Sequence, residues 1–275
     1  METAYHYCDL NAFLSIVKNK KLWLSCVDNM NDRLEIKHFY DAFVHRIKDL
    51  TNDETINVFD EFLQIFHYQF PIPYICCFSQ KGDVLSQWRA YASDGHGVSI
   101  GFDLDSFGFQ PNGPFMGMHK AISVGAHLVS YQDNNEMIEK INEIINSIME
   151  FKDKPEDVKY LKWNEIVHEV RHLCMFTKNK YFSEEYEIRV AHLPMLMTNA
   201  NGEHHNFHSI SEIMHRVVKN RIASYFELDF SEVKKPIKEV VLGPKFESSE
   251  YELRLFLDVH GFNNLPIRRS GASYR

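Results

Sequence analysis

Between Asp9 and Lys20 the apolar residues Leu10, Phe13, Leu14 and Val17 recur at helical spacing, with Ile16 at the edge of the stripe. This predicts a helix capped by Asp9 and closed by basic Lys18 and Lys20. Short β-rich runs flank it, Tyr5–Cys8 before and Leu22–Ser25 after. The polar stretch DNMNDRLE reads as a loop, and helical patterns over 36–50 and 53–67 end at the PIP of Pro71–Pro73. YICCFS (Tyr74–Ser79) is β-rich, DVLSQWRAYA a helix with Asp83 placed to cap it, SDGHG a turn and VSIGFD a strand. Residues 120–131 read as another strand, and 134–151 and 156–176 as a helical pair joined by KDKPED. Further on come the polar loop MTNANGEHHNF, a helical or irregular segment, the strand IKEVVLGPK, the capped helix SSEYELRLFLDVHG and a last strand about Pro266–Arg269. Strands and helices mix without a regular βαβ rhythm, which predicts an α+β fold. The chain reads as one domain over 1–275, with a helical insertion at about 133–176.

YFSEEYEIRV (Tyr181–Val190) reads as a strand of a different kind. Strict alternation puts Phe182, Glu184, Tyr186, Ile188 and Val190 on one face, and Ser183, Glu185, Glu187 and Arg189 on the other. Two carboxylates two steps apart repel. One carboxyl is then raised in pKa, or both are held by donors such as Arg189. A solvated face with an ordinary Glu–Arg pair is the bland alternative.

Composition bounds the rest. At 275 residues, 44% hydrophobic and 13% aromatic, the chain has ample material for one large core. No run approaches the roughly 18 apolar residues of a membrane span, and METAYHYCDL is not patterned as a signal segment. A soluble, cytoplasmic protein is the expectation. Five cysteines without C-x-x-C spacing imply reduced thiols. The net charge of −8 argues against coating nucleic acid by bulk electrostatics but leaves room for a local basic groove.

HEVRH (His168–His172) matches the H-E-x-x-H zinc pattern, with both imidazoles on one helix face, Glu169 as base and a downstream Glu187 as a further ligand. Arg171 inside the motif and the amphipathic flanks LKWNEIVHEVRHLC favour an ordinary helix instead. His204 and His208 of GEHHNFH would share a helix face, though a polar loop is the plainer reading. Trp88 and Tyr91, three apart, share one helix face. Taken singly, a strand histidine such as His6 or an aromatic helix such as this one is usually structural.

The landmarks YHYCDLNAFLSIVKNKKLWLS, MNDRLE, CFSQKGDVLSQWRAYASDGHGVSIGFD, FSEEYEIR, IKEVVLGPK and SGASYR span nearly the whole chain. They are similar to a widespread prokaryotic family filed as a domain of unknown function. Cys8 stands where that family usually has threonine, and Arg33 where it usually has proline. At greater distance the chain resembles the ADP-ribosyltransferase superfamily, including diphtheria-toxin-like and DNA-modifying bacterial toxins. The resemblance rests on a Tyr-His strand leading into a helix, an aromatic strand followed by a helix ending in tyrosine, and a late Glu-x-Glu.

That resemblance implies a split mixed or antiparallel sheet with helices, and NAD as co-substrate. It implies Glu187 as the catalytic acid that stabilises the charge developing on ribose, with Glu185 orienting or deprotonating the acceptor. His6 would bond the adenosine ribose, and Tyr7 and Cys8 would line the same strand edge. Tyr91, with Phe78 or Trp88, would sandwich the nicotinamide, Ser79 would steady the acidic strand, and Arg189 would offset the paired carboxylates. The implied protein is a toxin or antiphage effector, its acceptor a nucleic acid ahead of a protein side chain, with an antitoxin or chaperone as partner and no membrane. Two alternatives stand beside it: a catalytically silent nucleotide- or partner-binding sensor of the same fold, and the zinc hydrolase built on HEVRH.

Overall fold

The computed structural model describes residues 3–29, 33–68, 72–116, 120–198, 201–207, 209–218, 220–272 and 274. Met30, Asn31 and Asp32 of the MNDRLE landmark, Pro71, His208, Ser273 and Arg275 lie outside them. The first half of the chain runs β1 (Ala4–Cys8), α1 (Leu10–Asn19), β2 (Lys21–Cys26), α2 (Arg33–Leu50), α3 (Ile56–Tyr68), β3 (Tyr74–Ser79), α4 (Leu85–Tyr91), β4 (Val98–Phe102), α5 (Lys120–Ser123), β5 (Val124–Leu128) and β6 (Ser130–Gln132). Next come α6 (Asn134–Glu150), α7 (Glu156–Phe176), β7 (Thr177–Asn179), β8 (Glu187–His192), β9 (Met195–Thr198), β10 (His204–Phe207), β11 (Met214–Val218), β12 (Arg221–Asp229), β13 (Ile237–Leu242), α8 (Glu250–Val259) and β14 (Ile267–Arg269). The fold is α+β, its main sheet mixed but mostly antiparallel. The parallel pairs are β13–β14 and, in a small separate sheet, β6–β7.

The main sheet runs β11-β12-β2-β3-β1-β4-β13-β14, with β8 and β5 continuing from β3. Along one edge β3 pairs with β8 over its full length, Tyr74↔His192 to Ser79↔Glu187. The opposite edge is shared: β2 takes Tyr74 and Ile75, and β1 takes only Ser79. β1 and β2 both run antiparallel to β3, so they splay apart as the two prongs of a fork, with Cys76–Phe78 at its floor. α1 bridges the prongs. Asp9 caps it by accepting from Ala12 N (2.7 Å), and Phe13, Ile16 and Val17 face the core while Leu14 turns outward.

Two cores sandwich the sheet. Side-chain alternation sends Tyr74, Cys76, Phe78, Ile188 and Val190 to one, where α1 and α8 pack. Ile75, Ala191 and Leu193 go to the other, covered by α2, α3, α6 and α7. The helical pair 134–176 therefore builds one layer with α2 and α3. Among the described residues no helix is long and apolar enough to cross a membrane. The five cysteines are free.

Four sequence expectations change. Residues 180–185 form a 3₁₀ turn, and Tyr186 takes a left-handed conformation (φ 47°), so the strand starts only at Glu187. The polar loop MTNANGEHHNF is instead a hairpin, β10 on β9. The segment expected to be helical or irregular contains β12, the longest strand among the described residues, paired with β11 and β2. Residues 120–131 also divide into a short helix and two strands rather than one.

Candidate functional site

The fork holds a cavity of about 400 Å³. β1 lends it Tyr5, His6 and Tyr7, β2 Lys21, Trp23 and Ser25, and β3 the floor residues Cys76, Cys77 and Phe78. Gln87 and Tyr91 reach it from α4, and Glu185 and Glu187 from the approach to β8. His6, Tyr7, Phe78, Tyr91, Glu185 and Glu187 thus border one space although the chain between the first and last exceeds the length of most domains.

The acidic end is neutralised inside the protein. Glu187 is buried, and both its oxygens face Arg189: Nε to Oε1 at 2.8 Å and Nη2 to Oε2 at 3.1 Å. Lys178 on β7 is also buried, 2.6 Å from Glu185 Oε2 and 3.4 Å from Glu187 Oε2. Two carboxylates and two cations sum to zero, so like charges become neighbours at no net repulsion. Burial would raise the Glu187 carboxyl, but Arg189 and Lys178 outweigh it and hold it below the ordinary carboxylate range. Its backbone is equally committed: Glu187 N donates to Tyr131 Oη (2.8 Å), whose own pKa is pushed up to about 12 chiefly by burial. The solvated-face alternative does not hold for Glu187 or Arg189.

On the opposite prong, His6 Nδ1 lies 3.0 Å from the Cys77 carbonyl. A carbonyl only accepts, so Nδ1 carries the proton and Nε2 is left as an acceptor. Burial lowers the pKa of this imidazole and keeps it neutral. Ser79 Oγ donates to the Glu185 carbonyl (2.7 Å) and Gln80 N to the Tyr186 carbonyl (2.8 Å), which tie the 3₁₀ turn to the end of β3. Ser79 thus steadies the acidic segment from outside the cavity.

Several expected site residues sit elsewhere. Cys8 is in the core, its thiol pushed up by burial. Trp88 is fully buried against Tyr7 (ring centroids 4.8 Å apart) and does not line the cavity, whereas Tyr91 is 41% exposed there. The helical partner of Tyr91 on the cavity side is Gln87, four residues back. Tyr7 lines the wall, but its hydroxyl is spent: it donates to the Lys81 carbonyl (2.8 Å) and accepts from Val84 N (2.9 Å). Arg189 lies behind Glu187 and donates its Nη1 to the Met175 carbonyl (2.7 Å). Asp83 does not cap α4; it accepts from Trp88 Nε1 (2.7 Å) and Gly271 N (2.8 Å), and so fastens the SGASYR segment to the helix.

Sequence reasoning missed Lys178, Gln87, Trp23, Ser25 and Arg216. The alternation of Lys21, Trp23 and Ser25 against Leu22, Leu24 and Cys26 was a usable signal for the cavity face of β2. Nothing local marked Lys178 or Arg216.

The HEVRH segment is disassembled by packing. Glu169 pairs with Lys140 of α6 (2.9 Å), His168 stacks on Phe115 (4.5 Å), and His172 packs on Phe176 and His127. Glu187, the further ligand considered above, is held by Arg189 and Lys178. Among the described residues no three His, Cys, Asp or Glu side chains are gathered where they could hold a metal. His204 lies on strand β10 rather than on a helix.

Residues 87–190 match the model of a family described as protein of unknown function (DUF2971). The matched segment begins at the cavity-lining Gln87 and ends within β8, and the expectation of a domain-of-unknown-function family is borne out over it. No curated protein and no solved structure matches the chain.

Proposed function

We propose that the chain consumes NAD and transfers ADP-ribose in the fork cavity, as a cytoplasmic toxin or antiphage effector. One observation carries this reading: the first-strand imidazole, the helix-borne phenol and the paired late carboxylates border a single hollow. In this reading His6 Nε2 accepts from a ribose hydroxyl, and Tyr91 and Phe78 flank the nicotinamide ring. The glycosidic bond breaks with its electron pair leaving on nicotinamide. The Glu187 carboxylate faces the positive charge that develops on the sugar. The acceptor attacks the same carbon and yields its proton to Glu185, the carboxylate less completely enclosed. Trp88 braces Tyr7 and takes no part in the ring clamp.

The acceptor in this reading is a nucleic-acid base ahead of a protein side chain, because the Tyr-His opening strand resembles the DNA-modifying toxins. A neutralising antitoxin or chaperone would be the protein partner. Purified protein incubated with labelled NAD and a cell lysate should release nicotinamide, and Glu187→Gln should slow release by about 100-fold or more. Equal, negligible release by both proteins with no labelled product rejects it.

A second reading is a silent nucleotide-binding sensor. It is favoured by one detail, that both Glu187 oxygens are already engaged by Arg189. Calorimetry set beside turnover separates the two: NAD bound without being consumed selects the sensor.

A further inference from the structure

The charged side chains on the cavity wall have counter-charges, with one exception. Lys21 Nζ lies 2.6 Å from Glu227 on β12, and Glu185 and Glu187 face Lys178 and Arg189. Arg216 on β11 has no carboxylate partner among the described residues. Its guanidinium donates from Nη2 to Ser25 Oγ (2.8 Å), while Nε is buried with no partner among the described residues. What holds it is aromatic: the guanidinium carbon lies 5.2 Å from the Trp23 ring centroid and 5.8 Å from that of Tyr225. The two rings pack 4.5 Å apart at 35°, Tyr225 buried and Trp23 38% exposed.

A guanidinium positioned by ring faces keeps its whole charge and its planar fork for a ligand, whereas one paired with a carboxylate does not. The cavity therefore has two unlike ends: a balanced acidic one at β8 and an unbalanced cationic, aromatic-walled one between β2 and β11. We propose that the β2–β11 end is an anion subsite that receives the phosphates of a nucleoside diphosphate, held by Arg216 beside the flat wall of Trp23. The cavity as a whole, at about 400 Å³, has room for such a ligand, since sites for small molecules span about 300–1,000 Å³. The subsite stands on Arg216 and its surroundings alone; naming the anion as a nucleotide diphosphate rests on the reading above.

The test is calorimetry with inorganic pyrophosphate, ADP and adenosine on the wild type, Arg216→Gln, Arg216→Lys and Trp23→Ala. Arg216→Gln should weaken ADP and pyrophosphate by about 10- to 100-fold and leave adenosine unchanged. Arg216→Lys should restore part of the loss, because it returns the charge but not the fork. Trp23→Ala should weaken ADP and spare pyrophosphate. Wild-type binding of neither ADP nor pyrophosphate overturns the subsite. So does ADP affinity undiminished in an Arg216→Gln protein of unchanged melting temperature. If Arg216→Gln does not fold, unaltered ADP binding by both Arg216→Lys and Trp23→Ala does the same. Arg216-dependent pyrophosphate binding by a protein that neither binds nor cleaves NAD keeps the subsite and removes the ADP-ribosyl reading.

Discussion

At the start of β8 two carboxylates and two cations are packed into one buried group, whereas halfway along α7 imidazoles are packed against aromatic rings and one another. The β8 group keeps its charges: Arg189 and Lys178 hold Glu187 ionised in spite of burial. The α7 group gives its charge up. His172 is pushed down to about 4, first by burial and then by His127 and His168, and His168 is lowered by burial and by Arg171. The contrast shows the two ways a fold encloses ionisable side chains: it supplies the opposite charge, or it discharges the group. Only the first leaves a fixed electric field beside the cavity, and this is why the acidic pair is a candidate for chemistry and the histidine helix is packing.

The sharpest way to break the comparison is Arg189→Met, which leaves Glu187 buried against Lys178 alone. It should cost about 3–5 kcal/mol in urea denaturation, and a loss below about 1 kcal/mol would mean the pair is not enclosed as described. Lys178→Met should follow at about 1–3 kcal/mol, less because Glu185 keeps some contact with water.

Acid titration sharpens the comparison further, since the two groups fail in different windows. Both kinds of side chain have folded pKa values below their unfolded ones, so each contributes stability at high pH that is lost on acidification. For His172 the loss begins below the unfolded value of about 6.5 and is complete once pH passes about 4. His192, also held near 4 by burial, acts in the same window. For Glu187 the loss begins only below the unfolded carboxylate value of about 4.3. Stability measured against pH should therefore flatten in the upper window for His172→Phe and in the lower window for Glu187→Gln. Interchanged effects would refute the assignment. The smallest change is expected of His168→Gln, which gives up a ring stack worth about 0.5–1.5 kcal/mol and should leave nicotinamide release untouched.

Much of the first prong was legible. Asp9 before a helical stripe, the alternation of YICCFS, and the capping serine of α8 (Ser249, accepting from Tyr251 N) are local signals, and each element formed where its residues favour it. His6, Tyr91 and the glutamates were legible as residue types in a familiar order. The strands beyond the second prong, β11 and β12, were not. RIASYFELD buries Ala223 and Tyr225 on one face and Phe226 and Leu228 on the other, so its apolar positions form a near-continuous run that neither period describes. With β12 unrecognised, Arg216 had no place beside Trp23. The error at 180–185 has a similar origin, because alternation continues through a turn as readily as through a strand and the left-handed Tyr186 leaves no mark on the pattern.

By itself the sequence determined the element types over most of the chain, the capped helix starts and the supply of acids, imidazoles and aromatic rings, because these depend on neighbours within a few positions. Only the tertiary structure decided which of them act together: that β1 and β2 divide one edge of β3, that Lys178 meets Glu185 and Glu187, and that Arg216 lies against Trp23 and Ser25. The physical reason is that desolvation and Coulomb attraction act through space, and the partner that makes a buried charge tolerable can come from any distance along the chain.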